Sequence, residues 1–188
     1  MDPRADSSRK GSEAVIVDAH TATHEAGHCV AHIRLGIEHA GANLVATDGR
    51  LGASIAHGVD SVWDKPAAES QVLAFCSGYA AMVAAGVDHA VALGGTGDDF
   101  EQAQYLIDFW GLNGTLDAWR ARAVELMRQP QNVAAIALLA NHLLEHKRLD
   151  GDYVEAVVEL SDGEITDGDF ERYLLLRGWP DKAAKCSE

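Results

Sequence analysis

The sequence predicts a mainly helical (α+β) domain with one small β-sheet. Three observations lead there. Apolar residues recur at helical spacing over most of the 188 residues. Proline and glycine bracket the long periodic segments in the order that opens and closes helices. One short region, residues 43–57, carries β-compatible runs around an Asp-Gly turn.

Residues 1–12 are polar and of mixed charge and are expected to be disordered. Residues 13–180 are expected to form the domain, and 181–188 a flexible tail. From Ser12 or Glu13 to Leu35, Val15, Ala19, Ala22, Ala26 and Val30 fall near i, i+4, i+7 spacing, with Gly36 as the stop. "ANLVAT" and "LGASIAH" follow as two strands around "DGR". Pro66 opens and Gly86 closes a helix that is apolar nearly all round, which predicts a buried central element. "ALGGTGDD" reads as a loop. Helices are then expected over "DDFEQAQYLIDFW", "TLDAWRARAVELMRQ", "PQNVAAIALLANHLLEHKR", "DGDYVEAVVEL" and "DGDFERYLLLRG", with the repeated "DGD" acids as caps.

Composition narrows the function classes. With 47% hydrophobic residues the chain can bury a core. A formal charge of −14 argues against nucleic acid and against anionic membrane surfaces as partners. The polar N-terminus lacks a signal-peptide core and no apolar run is long enough to span a bilayer, so a cytoplasmic protein is expected. Cys29, Cys76 and Cys186 form no CxxC pair and no even framework, which fits a reducing compartment.

The chemistry concentrates in "HTATHEAGHCVAH", where His20, His24, His28 and His32 recur every four residues. Each adjacent pair has metal-chelating spacing on a helix. Glu25 distinguishes one of them, because His24-Glu25-Ala26-Gly27-His28 is an HExxH sequence. Its two imidazoles share a face and can reach one Zn²⁺. Glu25 lies about 100° round the helix, too far to be the natural third ligand but within reach of a zinc-bound water. The metal lowers the pKa of that water and polarises a scissile carbonyl, and Glu25 is the expected catalytic base. His20 and His32 are expected to be neighbours, not ligands. Gly27 costs up to about 1 kcal/mol inside a helix, so a close approach by another backbone is expected there. The third ligand must come from elsewhere in the chain. "GGTGDDFEQA" offers Asp98, Asp99 and Glu101 at a loop-to-helix junction, where capping would suit Asp98 and Asp99 equally well.

From about Ala22 to Val158 the sequence resembles the peptidase domain of the FtsH family of ATP-dependent zinc metalloproteases. "ATHEAGHCVAHIRLG" is similar to the family's HEAGH helix, "ANLVATDGRLGASIAH" to its strand pair, and "GGTGDDFEQAQ" to its TG-x-D helix start. "CSGYAAMVAAG" is loosely similar to its central helix, and "ALLANHLLEHKRLDGDYVEAVV" to its closing helical pair. The resemblance implies zinc bound by His24, His28 and Asp99, with Glu25 as base. It also implies substrate binding along a strand edge at Leu51–His57. The sequence departs from the family where Tyr79, Met82 and Val83 stand in the central helix, and no Walker motif occurs in it.

The expected function is therefore zinc-dependent, ATP-independent hydrolysis of peptides or unfolded protein segments. A zinc-stabilised interaction or regulatory module without proteolysis is the alternative, with a separate ATPase or regulatory protein as partner. Self-association is compatible with either. His57, Tyr79 or the backbone are candidate oxyanion donors.

Overall fold

The computed structural model of the chain describes residues 6–44, 53–56 and 62–178. Its described part contains eight helices and a three-stranded sheet. In chain order these are α1 (Asp6–Leu35), β1 (His39–Asn43), β2 (Ala53–Ala56), α2 (Lys65–Ala84), α3 (His89–Gly94), α4 (Asp99–Trp110), α5 (Leu116–Met127), α6 (Pro130–His146), β3 (Arg148–Asp150), α7 (Gly151–Asp162) and α8 (Asp167–Leu176). The mainly helical class with one small sheet is thus the observed one.

α2 is the centre. Its apolar surface runs all round, so it needs neighbours on several sides, and α1, α4 and α5 supply them. Asp64 caps its N-terminus by accepting a hydrogen bond from Ala67 N at 2.8 Å, and Pro66 follows inside the first turn. α1 packs along α2 and α6, and α6 in turn packs on α7. The crossing of α1 over α2 depends on Gly27. A Cβ there would collide with the Ala81 methyl and the Ser77 carbonyl oxygen. The helical cost of that glycine is thus offset by close helix contact.

Several boundaries differ from the expected ones. α1 begins at Asp6, so residues 6–12 are helical and only 1–5 of the segment expected to be disordered lie outside the described residues. No proline interrupts residues 6–12, and a long helix can propagate through a polar stretch once its later turns are packed. His20 is in consequence mid-helix and half-buried. β1 starts at His39, upstream of the expected strand, and pairs antiparallel with β2. The Asp-Gly turn lies outside the described residues, as do His57 and the tail 181–188. β3 was not expected. It follows α6 directly, pairs antiparallel with β1 and gives the strand order β2-β1-β3, which leaves β2 at an edge among the described strands.

"ALGGTGDD" is not wholly a loop. Asp88 accepts hydrogen bonds from Ala90 N and Val91 N and starts α3, whose last residues are Leu93 and Gly94. The first "DGD" acid does cap a helix, since Asp150 accepts from Tyr153 N at 3.0 Å. At the second, Thr166 is the cap, in a capping box closed by Asp169. Among the described residues, no helix is long and apolar enough to cross a membrane.

Candidate metal centre

His24, Glu25 and His28 lie on α1 where it crosses α2, and each is only 6% exposed. That burial follows from the small residues around them. Ala22, Ala26 and Gly27 let α1 sink against α2, and the polar side chains sink with it.

Asp99 comes from the opposite side. It is the first residue of α4, which leans on α2 beside α1. Asp98 occupies the N-cap position but makes no capping hydrogen bond there. Asp99 instead turns its carboxylate inward. His24 Nε2 lies 3.1 Å from Asp99 Oδ2, His28 Nε2 lies 3.2 Å from the same oxygen, and the two Nε2 atoms are 2.9 Å apart. Three potential ligand atoms, from residues as much as 75 positions apart, thus form a near-equilateral triangle. Tetrahedral bonds of about 2.0–2.1 Å separate neighbouring ligand atoms by about 3.3–3.4 Å. The triangle is within a few tenths of an ångström of that spacing. The group His24, His28 and Asp99 could hold a metal ion.

The surroundings prepare the ligands. His28 Nδ1 donates to the Ala74 carbonyl at 2.8 Å, which leaves Nε2 as the lone-pair nitrogen in the neutral ring. That is the nitrogen facing His24 and Asp99. Burial opposes a charge on His28. The Asp99 carboxylate overrides burial, with help from Glu25 and the Ala74 carbonyl, and pushes the ring up to about 9. Burial likewise disfavours charge on Asp99, but His28 and the hydrogen bonds from both rings hold it well below the usual carboxylate range. In the metal-free chain, the cluster therefore keeps a proton where a cation would sit.

Gly78 was not singled out from the sequence. A Cβ on it would lie 2.5 Å from His24 Cε1, His24 Nε2 and His28 Nε2. α2 thus forms the floor of the site, and a glycine is needed where the two rings press on it. The available signal was a second glycine inside an apolar helix, the same one that marked Gly27. Ala74 could not be found from sequence, because it acts through its carbonyl.

The remaining candidates fall away from the cluster. His32 is 3% exposed and sits beside His39, with ring centroids 6.1 Å apart. Tyr79 engages His89 Nδ1 at 2.8 Å through its hydroxyl. Cys29 and Cys76 are buried, and burial pushes the Cys76 thiol up to about 12. Glu101 is exposed on α4. No family model and no curated protein matches the chain.

Proposed function

We propose that the chain is a zinc-dependent metallopeptidase, similar to the FtsH peptidase domain, that hydrolyses peptide bonds in peptides or unfolded segments. The observation that carries this reading is the convergence of His24, His28 and Asp99 within 3.2 Å, with Glu25 buried one residue from His24. A purely structural site has no use for that glutamate.

His24 and His28 from α1 and Asp99 from α4 would hold the ion. Zinc bound by them supplies Lewis acidity to water and to the substrate carbonyl. Glu25 accepts the proton of the attacking water and returns it to the leaving nitrogen. The Ala74 carbonyl keeps His28 in the ligating tautomer. β2, at an edge among the described strands and packed on α1, would offer its outer backbone side to an extended substrate strand. An extended peptide presents its backbone to a strand edge, whereas a folded protein does not, so unfolded segments are the natural substrates.

The test is zinc stoichiometry with cleavage of unfolded casein and a peptide library. Glu25→Gln should keep zinc and lose at least 100-fold in turnover. Asp99→Ala should lose zinc. If wild type binds zinc yet is as silent as Glu25→Gln on every substrate, the site belongs to an interaction module instead.

A further inference from the structure

Three helices meet around one arginine next to the candidate metal centre. Arg120 stands on α5, and its side chain is only 20% exposed. Its guanidinium carbon lies 5.0 Å from the centre of the Phe100 ring and 5.2 Å from that of the Tyr79 ring. The two rings meet edge to face, with centroids 5.6 Å apart. The three groups thus close a triangle, and the cation is within the roughly 6 Å at which a ring face attracts it. Asp117, one turn earlier on α5, pairs with the guanidinium at 3.0 Å. Nε of Arg120 is buried with no hydrogen-bond partner. The group is therefore placed for what its face meets, a use that suits a planar guanidinium better than an ammonium.

Both rings belong to neighbours of the site. Phe100 follows Asp99 at the start of α4, and Tyr79 follows Gly78, against which His24 and His28 press. Tyr79 is itself held at its far end, where its hydroxyl meets His89 Nδ1 at 2.8 Å. The start of α4 needs such a hold. Asp98 at its N-cap makes no capping hydrogen bond, so the usual side-chain lock on a first turn is missing. Asp99 must nevertheless keep Oδ2 within 3.2 Å of two ring nitrogens. Metal ligands need placement to about 0.5 Å.

We propose that Arg120 is a positioning residue for the metal centre. Its guanidinium pins the Phe100 ring to Tyr79, and through Phe100 it fixes where α4 begins and where Asp99 puts its carboxylate. This role rests on the reading of His24, His28 and Asp99 as a zinc site. Arg120 acts through Asp99 and is not itself a ligand.

The experiment measures zinc affinity by competition titration on the full chain, with circular dichroism as the check on folding. Arg120→Met keeps an unbranched stem and removes the cation, and should bind zinc about tenfold more weakly. Arg120→Lys keeps a cation over the rings and should recover part of that loss. Phe100→Leu removes the ring and should weaken zinc to a similar degree. The two losses should not add: on the Phe100→Leu background, Arg120→Met should change affinity by less than about twofold. Co²⁺ in place of zinc reads the ligand geometry itself, and its visible absorption should differ between wild type and Arg120→Met. A side chain that merely stabilises the fold would lower the melting midpoint and leave the affinity and the cobalt spectrum unchanged, and that result would overturn the proposal. So would losses in Arg120→Met and Phe100→Leu that add in full, or an Arg120→Lys chain no better than Arg120→Met. A wild type that binds neither ion would overturn the zinc reading first, and this role with it.

Discussion

A methyl group at position 78 would occupy the space that two imidazoles use. In Gly78→Ala the added carbon would sit 2.5 Å from His24 Nε2 and from His28 Nε2, so the rings or the helix must move. Overpacking of this kind costs about 1–3 kcal/mol. The ligand triangle has edges of only 2.9–3.2 Å and tolerates little displacement. Gly78→Ala is therefore expected to keep its helical circular dichroism and to bind zinc at least tenfold more weakly, as read in a competition titration. Unchanged affinity would show that the glycine floor is not what spaces the rings. Proton competition acts at the same atoms. The metal takes neutral His28, whereas the metal-free cluster holds His28 protonated up to about pH 9. The sign is fixed: a proton must leave for the ion to bind, so apparent zinc affinity falls as pH falls. Between pH 8 and pH 6 the expected loss is about tenfold per pH unit from this group, on the one-proton relation of linkage.

Arg34 shows how one side chain holds three helices in register. From α1 it forms a bidentate pair with Asp162 at the end of α7, and its Nε donates to Asn132 Oδ1 on α6 at 2.8 Å. Asn132 is fully buried and also donates to the Leu126 carbonyl at 2.8 Å, so the network is satisfied through to α5. Charge-assisted bonds of this type contribute about 1.5–3 kcal/mol when neither partner is fully exposed. Asp162→Asn should destabilise the chain by about 1–2 kcal/mol at pH 7, measured by urea unfolding. The hydrogen bonds from Arg34 hold Asp162 below its ordinary value. Stabilisation from a depressed carboxylate is present above the unfolded-state value of about 3.9 and is lost as pH falls through the folded value. The gap between wild type and Asp162→Asn should accordingly close below about pH 4. A gap that persists there would assign the effect to packing. Most of these helices were legible because each carries its own punctuation. Asp64–Pro66 opens α2, and Asp150 opens α7. β3 was not legible, since three residues hold no period and its pairing with β1 joins positions about 100 residues apart. α3 was hidden for a related reason, because its last turn runs into the glycines of its own C-terminus.

At the scale of the whole molecule, the candidate metal centre divides into a local half and a distant half. His24, Glu25 and His28 share one helical turn, so their alignment could be read from spacing alone. Asp99 arrives only because α1 and α4 both lean on α2, and spacing could not choose it over Asp98. The resemblance to the peptidase family pointed to Asp99, and the inward turn of its carboxylate is what separates the two acids in space. This arrangement fixes what metal removal should do. The core centres on α2 and is built from apolar residues of α1, α2 and α4 to α7, none of which is a ligand. The metal-free chain should therefore stay folded, unlike a zinc finger, whose core forms only with its ion. An ion held by the cluster would bind the native state alone, because His24, His28 and Asp99 converge only there. Free zinc at a thousand times its dissociation constant then adds about 4 kcal/mol of stability. For a domain of this size, each kcal/mol moves the melting midpoint by about 2–4 °C. Zinc at that excess is expected to raise the midpoint by roughly 8–16 °C over a chelator-treated sample, with far-UV dichroism nearly the same before melting. Asp99→Ala, measured at the same free zinc, should lose most of the rise, whereas Glu25→Gln should keep it. A chelator-treated chain that loses its helical signal at 25 °C would mean that the ion organises the core. A midpoint indifferent to zinc would mean that the three ligand atoms, close as they are, hold no ion in solution.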